Sequence, residues 1–311
     1  MKVVLYTKDK KVEWDNFVEG SKNGTFILMR SYMDYHSDRF KDFSLMFYEK
    51  NKLIALLPAS ISETEIQSHG GLTYGGIISG RNMTVPKMLT VFEYMKKFLK
   101  ENNIKTLIYK CIPKIYHTYC ADEDLYALYV NNAILCRRDI STCICLDNRI
   151  QFSELRTRCV KKAKKNGITV KRSFNFNTYI SILTAILDKY HNAVPVHSAG
   201  ELSLLSNYFP DNMKLFGAYQ QDNMLAGIII FETEKVVHTQ YIANSDEGRN
   251  IGALDLIVDY LISIYDRKKQ FLDFGISTEK SGRYLNTGLI NQKEMFGGRA
   301  VAYDFYKMEI N

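Results

Sequence analysis

Apolar residues recur along this chain with two periods that trade places several times. Over residues 236–243 they alternate with polar ones, the period of a half-buried strand. From Ile251 the spacing turns helical, through Leu254, Ile257, Val258, Leu261 and Tyr265. Between the two lies a polar stretch, 244–250, with one glycine, Gly248. A strand, a glycine-bearing loop and a helix N-terminus in that order converge backbone N–H groups and the positive end of a helix dipole, which suits a phosphate.

The same reading carried along the chain predicts alternating elements. Residues 3–6 form a strand and 12–18 a short helix ended by Gly20. Residues 43–60 read as a hairpin about Lys50-Asn51-Lys52, closed by Pro58, and 61–67 as a further strand. The stretch 68–80 holds five glycines interleaved with His69, Thr73 and Tyr74. It reads either as a tight connection or as backbone that lets a ligand approach closely. No G-K-[ST] follows, so it is no P-loop. Thr84 and Pro86 open a helix over 84–102 with Met88, Phe92, Met95 and Leu99 on one face. A buried strand at 106–112, a helix at 122–131 and a strand at 133–146 follow. A polar boundary at 147–152 divides the chain into domains 1–150 and 151–311.

In the second domain Ser153 caps a basic helix that ends at Asn166-Gly167. Leu155, Cys159 and Ala163 make its inward stripe, while Arg156, Lys161, Lys162, Lys164 and Lys165 face solvent or a phosphate. A strand (168–172), a helix (178–190), a second helix after Ala199 and a hairpin (213–219, 225–231) lead to the strand bearing His238. After the helix that starts near Ile251, FLDF makes a short strand. Strands and helices alternating in this way predict an α/β layer.

Composition narrows the class. A chain of 311 residues with 46% hydrophobic and 13% aromatic content has ample core for two domains. No apolar run reaches the ~18 residues of a membrane span. Only four apolar residues of MKVVLYTKDKK precede returning charge, so the start reads as a strand and a cytoplasmic protein is expected. A net charge of +7 favours anionic partners such as nucleotides, CoA or RNA. The six cysteines include no C-x-x-C pair; they read as reduced small hydrophobes, with zinc or a disulfide as the alternatives. His191 and His197 flank a proline loop, a candidate substrate lip, without the spacing of a metal pair, and no metal is assigned. His117 reads as a structural histidine or a ligand contact.

Three strings resemble known acyl- and aminoacyltransferases. GRNIGALDL resembles the pyrophosphate-binding loop of the GNAT acyltransferases. GLINQKEMFGG is similar to the closing signature of the FemAB aminoacyl transferases, a GNAT-like family, and RTRCVKKAKKNG to a further FemAB hallmark. The resemblance covers about residues 150–308 well and 1–149 loosely. It implies an α/β fold with α+β layering: two tandem GNAT-like domains, each a mixed central sheet flanked by helices, the first a degenerate copy on the acceptor side. It also implies acyl-CoA held by Ile242, Ala243, Gly248, Arg249, Asn250, Ile251, Gly252, Ala253 and Asn286, in a cleft where the strands before and after the helix splay apart.

Acyl transfer to an amine needs a free amine, a stabilised oxyanion and a proton route to the leaving group. No G-x-S-x-G is present, which weakens a hydrolase reading. Where GNAT enzymes carry N-x-x-A-x-x-x-Y-x-x-x-G, this chain has Asn286, Leu289, Lys293 and Gly297. Lys293 thus stands in the tyrosine's place as an oxyanion cation, with Tyr284 as a fallback proton donor. His238 is the first candidate base, sharing its strand face with Gln240 and Ile242; Asp273 and Glu279 are alternatives. His69, Gly71, Thr73, Tyr74, Gly75, Gln240, Ser277 and Glu279 are the candidate acceptor contacts. The leading reading is a CoA-dependent N-acyltransferase acting on an amino sugar, nucleotide-linked, for surface polysaccharide synthesis. The FemAB activity, from aminoacyl-tRNA to a cell-wall precursor, stands behind it, and a non-catalytic binding protein behind that. Homodimer formation is left open.

Overall fold

The computed structural model describes residues 1–36, 38–191 and 193–310; the side chains of His36 and His191, the latter a candidate lip residue, lie outside the described part. In chain order the elements are β1 (Lys2–Leu5), α1 (Lys11–Gly20), α2 (Arg30–Met33), β2 (Leu45–Glu49), β3 (Lys52–Leu57), β4 (Ser60–Ser62), β5 (Glu65–Gln67), β6 (Ile78–Ser79), α3 (Val85–Glu101), β7 (Thr106–Lys110), α4 (Glu123–Val130) and β8 (Ile134–Cys145). Then come α5 (Glu154–Lys165), β9 (Ile168–Ser173), α6 (Phe176–His191), α7 (Ala199–Tyr208), β10 (Met213–Gln220), β11 (Asn223–Glu232), β12 (Val236–Asn244), α8 (Asp246–Ile251), α9 (Ala253–Tyr265), β13 (Phe271–Ile276), β14 (Thr278–Glu279), β15 (Tyr284–Leu285), α10 (Thr287–Glu294) and β16 (Arg299–Glu309).

Two compact units divide this list. Unit 1 is Met1–Ile140 with Thr278–Tyr284 and Ala302–Asn311; unit 2 is Ser141–Ser277 with Leu285–Val301. The sequence suggested two consecutive halves meeting at 150/151. The chain instead changes unit inside β8, and two later segments return to unit 1. All six cysteines are free. Among the described residues no helix is long and apolar enough to cross a membrane, and no cluster of three metal-ligating side chains occurs.

In unit 1, β1–β2–β3–β6 form one sheet, and β4, β5, β7 and β16 neighbour one another in that order. The β2–β3 turn places Lys50 and Asn51 at φ 48° and 63°, the left-handed pair that matches the twist of a tight hairpin. Met88, Val91, Phe92, Met95 and Leu99 of α3 are buried against Leu45, Phe47, Leu57, Leu107 and Tyr109. Each such side chain contributes about 1.5–3 kcal/mol by leaving water. Strands β5 and β7 run parallel for three pairs only, ending at Gln67↔Ile108. Beyond that point the glycine stretch is stapled to β7. Lys110 N donates to Ser68 Oγ at 2.6 Å, and Ile77 N to Tyr109 OH at 2.6 Å. Lys110 Nζ donates to the carbonyls of His69 (2.9 Å) and Leu72 (2.7 Å).

In unit 2 the strand order is β8–β13–β12–β11–β10–β9. The α5 and α9 helices cover one face, where Val160, Ala163, Ile257, Val258 and Leu261 meet Ile228, Ile230, Val237 and Leu272. Helix α6 covers the other, where a Cβ on Gly227 would lie 2.6 Å from the Tyr179 ring. The β12 and β13 strands pair in parallel at Val236↔Phe271, Val237↔Leu272 and His238↔Asp273, and pair no further. The splay implied by the resemblance therefore opens directly after His238. One feature of β12 was not readable beforehand. The pairing skips from Ile230↔Thr239 to Ile229↔Tyr241, so Gln240 is the extra residue of a bulge. The bulge shifts the alternation: Tyr241 and Ala243 take the face of His238, and Ile242 and Asn244 the opposite one. The expectation that Ile242 shares a face with His238 is corrected accordingly, while Gln240, at the bulge, lies on the side of Tyr241.

Candidate functional site

The splay leaves a cleft of about 520 Å³ in unit 2. Ile242 and Asn244 of β12 form one wall and Phe274 of β13 another, with Leu254, Asp255 and Val258 of α9 beneath. Leu289, Gln292, Lys293 and Phe296 close it. These four follow the i, i+3, i+4, i+7 spacing of a single face on α10 and the turn after it. The Phe296 ring stacks on Phe274 at 5.7 Å between centroids. Asn286 caps this helix, its side chain accepting from Leu289 N at 3.0 Å. That places it outside the cleft lining, in a structural role rather than against a cofactor.

Lys293 is the buried cation of this cleft, 6% exposed. Its Nζ donates to the carbonyls of Gly275 and Ile276, each at 2.8 Å. An ammonium has three N–H donors, so among the described residues one remains. Burial pulls the ammonium down to about 8, opposed by the nearby Asp273 carboxylate. At neutral pH the group is still mainly charged.

At the fork itself His238 Nδ1 lies 2.8 Å from Asp273 Oδ2. Asp273 also accepts from Ser141 Oγ and, at 3.1 Å, from Gly275 N. A carboxylate accepting from Nδ1–H fixes the tautomer in which Nε2 is the free acceptor. Gly275 has φ +75°, and a Cβ there would lie 3.3 Å from the His238 ring. Ser141, which completes this chain of contacts, had no signal in the sequence, because it meets Asp273 only through β8–β13 pairing.

The stretch around Gly248–Gly252 is built differently from the expected loop. Residues 246–251 are helical, and Ser245 caps them by accepting from Gly248 N at 3.0 Å. Arg249 N bonds Ser245 O at 2.8 Å and Gly252 N bonds Gly248 O at 3.0 Å. Gly252 (φ +83°) is the left-handed joint between α8 and α9, and a Cβ on it would sit 2.5 Å from the Cys159 carbonyl of α5. Gly248, Gly252 and Ala253 are thus buried in packing. The Asp255 carboxylate stands in the first turn of α9, 3.0 Å from Arg156 of the basic helix. Burial raises its pKa, and Arg156 works against that rise. Ile251 packs partly buried against the core. Asn250 is exposed, its carbonyl accepting from Lys162 at 2.7 Å. Of the expected cofactor residues, Ile242 and Arg249 line the cleft.

The remaining candidates divide between the units. Ser277 and Gln240 belong to unit 2, and Ser277 O accepts from Asn286 N at 2.9 Å. Tyr284 and Glu279 are exposed residues of unit 1. So is the glycine stretch, which mostly turns inward. Gly71 and Thr73 are exposed, but the His69 ring is buried beside Phe40. Tyr74 OH meets Thr25 Oγ1 at 3.0 Å. A Cβ on Gly75 would fall 2.1 Å from Ser68 O. Gly70 and Gly71 thus pack closely on the Phe40 ring, and Gly75 and Gly76 on Ser68 and on Lys110 and Tyr109 of β7. Arg156 and Asp255 were not singled out as a pair; 99 residues separate them in sequence.

Both units are mixed α/β layers, sheets flanked by helices. Comparison with solved structures shows which folds the chain is similar to. FemX matches with a TM-score of 0.69 over 98% of this chain and 97% of its own, at 11% identity. L-PGS from Bacillus licheniformis matches at 0.63 over 99% and 93%, also at 11% identity. The C-terminal domain of a protein named as a lysylphosphatidylglycerol synthetase, from Agrobacterium fabrum, matches at 0.62 over 98% and 92%, at 10% identity. At these identities the likeness is one of fold. No family profile and no curated protein matches the sequence.

Proposed function

We propose that unit 2 transfers an acyl or aminoacyl group from an activated ester or thioester to an amine, in the cleft between β12 and β13. The observation that carries this reading is the Lys293 ammonium, buried at the splay with one donor unused among the described residues. An attacking amine turns the carbonyl oxygen into an oxyanion, and the third N–H of Lys293 is the group to receive it. His238 Nε2, oriented through Asp273, takes the proton that the amine loses. That proton then passes to the leaving oxygen or sulfur as the tetrahedral intermediate collapses.

For the donor, an aminoacyl ester carried by tRNA is the better-supported choice. The amides of Gly248, Arg249 and Gly252 are engaged within the helix pair, and a carboxylate rather than an open amide nest stands at the start of α9. Arg158, Lys161 and Lys165 meanwhile leave an exposed basic face on α5, suited to a phosphate backbone. FemX and L-PGS are the neighbours in fold. Acyl-CoA with an amino-sugar acceptor remains the alternative, resting on the GRNIGA string.

Thermal stabilisation separates the two. A ligand at 100 times its dissociation constant stabilises by about 2.7 kcal/mol. Aminoacyl-tRNA is expected to raise the melting temperature, less so at high salt, and acyl-CoA to leave it unchanged. A rise with acyl-CoA alone refutes the tRNA reading, and a rise with neither favours the non-catalytic one.

A further inference from the structure

A second cavity of about 330 Å³ lies beside the cleft in unit 2. Leu183 and Leu187 of α6, Val196 of the following loop, Leu202 of α7 and Tyr241 of β12 line it. Ile242 lines both this cavity and the cleft, so the two meet at the splayed strand. Polar groups are few. His197 Nδ1 is 2.6 Å from Tyr241 OH, and the Gln240 side-chain oxygen, buried at the bulge, has no hydrogen-bond partner among the described residues. The bulge gives this arrangement its meaning. It turns Tyr241 onto the α6 face of β12, the face of His238, while Ile242 and Asn244 point to the cleft with Lys293.

We infer that this cavity seats the acceptor: a primary amine carried on an aliphatic or aromatic body, presented to His238 from the side of β12 opposite the donor. The inference rests on the transferase reading for its chemistry, and on the cavity alone for its ligand class. A hydrocarbon body leaves water for a lining of Leu, Ile and Val, and an N–H at its end satisfies the stranded Gln240 oxygen. A sugar brings several hydroxyls to a wall that offers three polar side chains, and each unmatched one is penalised. The acceptor class argued from this cavity is therefore apolar, not the amino sugar expected from the sequence.

The test reads binding without any donor. Primary n-alkylamines from butylamine to octylamine, and glucosamine, are titrated into the full chain and followed by calorimetry or ligand-observed NMR. Dissociation constants should fall about fourfold per added methylene until the chain outgrows the cavity. Glucosamine should bind more weakly than butylamine. Leu183→Trp, which fills the cavity, should abolish the length dependence; Leu202→Phe, a milder filling, replaces it if that variant fails to fold. A constant that ignores chain length, or a length dependence unchanged in the folded filling variant, overturns the inference. Length-dependent binding with no transfer from any donor leaves the cavity assigned and overturns only the transferase reading. Wild-type transfer to glucosamine by Leu183→Trp does the reverse.

Discussion

The alkaline limb of the rate profile is where Lys293 can be caught acting. Burial lowers its pKa from the usual 10.5 to about 8, a change worth about 3 kcal/mol against the charged form. If the ammonium receives the oxyanion, kcat/KM for the free enzyme follows its protonated fraction. With hydroxylamine as an acceptor that stays neutral across the range, the rate at pH 9.5 should be about a thirtieth of its plateau; an ordinary lysine would have lost only about a tenth. Lys293→Met keeps the apolar stem and removes the donors. Loss of one such donor typically lowers turnover about 100- to 1,000-fold. The same change strands the carbonyls of Gly275 and Ile276, a stability cost of about 1–3 kcal/mol for each, partly offset by no longer burying a charge. Single-turnover transfer is therefore measured well below the melting temperature of each variant. Lys293→Arg, which stays charged, should move the alkaline limb beyond the accessible range in whatever activity it keeps. A decline beginning only above pH 10, or a Lys293→Met enzyme within threefold of the parent, refutes the role.

Two further outcomes follow from buried groups. Asp124, bonded to Tyr109 OH at 2.6 Å, is pushed up to about 6 by burial, so the folded state holds its proton more tightly than the unfolded chain with its usual 3.8. That contribution is complete below pH 4 and lost as pH rises through 6. Asp124→Asn should thus gain about 2 kcal/mol relative to the parent between pH 4.5 and 7 in urea unfolding, and an unchanged difference refutes it. Gly252→Ala combines a left-handed backbone with a 2.5 Å approach to a main-chain carbonyl, and should cost about 3 kcal/mol of stability. A variant of parental stability by calorimetry would mean that the joint is not packed as described.

The sequence made the order of elements legible wherever a periodic apolar face and a cap coincided. Helix α3 begins one residue after Thr84 with Pro86 in its first turn, and α5 runs from its Ser153 cap to Asn166. The fork between β12 and β13 was legible through the family resemblance, and Lys293, singled out by its place before Phe296, lines the cleft. Three features were not. The bulge at Gln240 depends on pairing with β11, which alternation along one strand cannot reveal. The short helix α8 hides in a polar string because Ser245, not an apolar stripe, starts it. The glycine stretch looks open until Lys110, some 40 residues away, is seen to draw its carbonyls inward.

Strand β16 pairs Phe305 through Glu309 with Lys110 through Thr106, and those last residues belong to unit 1. A ribosome releases them after every residue of unit 2 has been made. The amino-terminal unit therefore waits with one side of β7 unzipped, while its neighbour already has all its strands. Vectorial synthesis normally favours the part made first. Here the threading of the chain reverses that order, and the nascent protein must keep a bare strand from straying until residues 305–309 emerge.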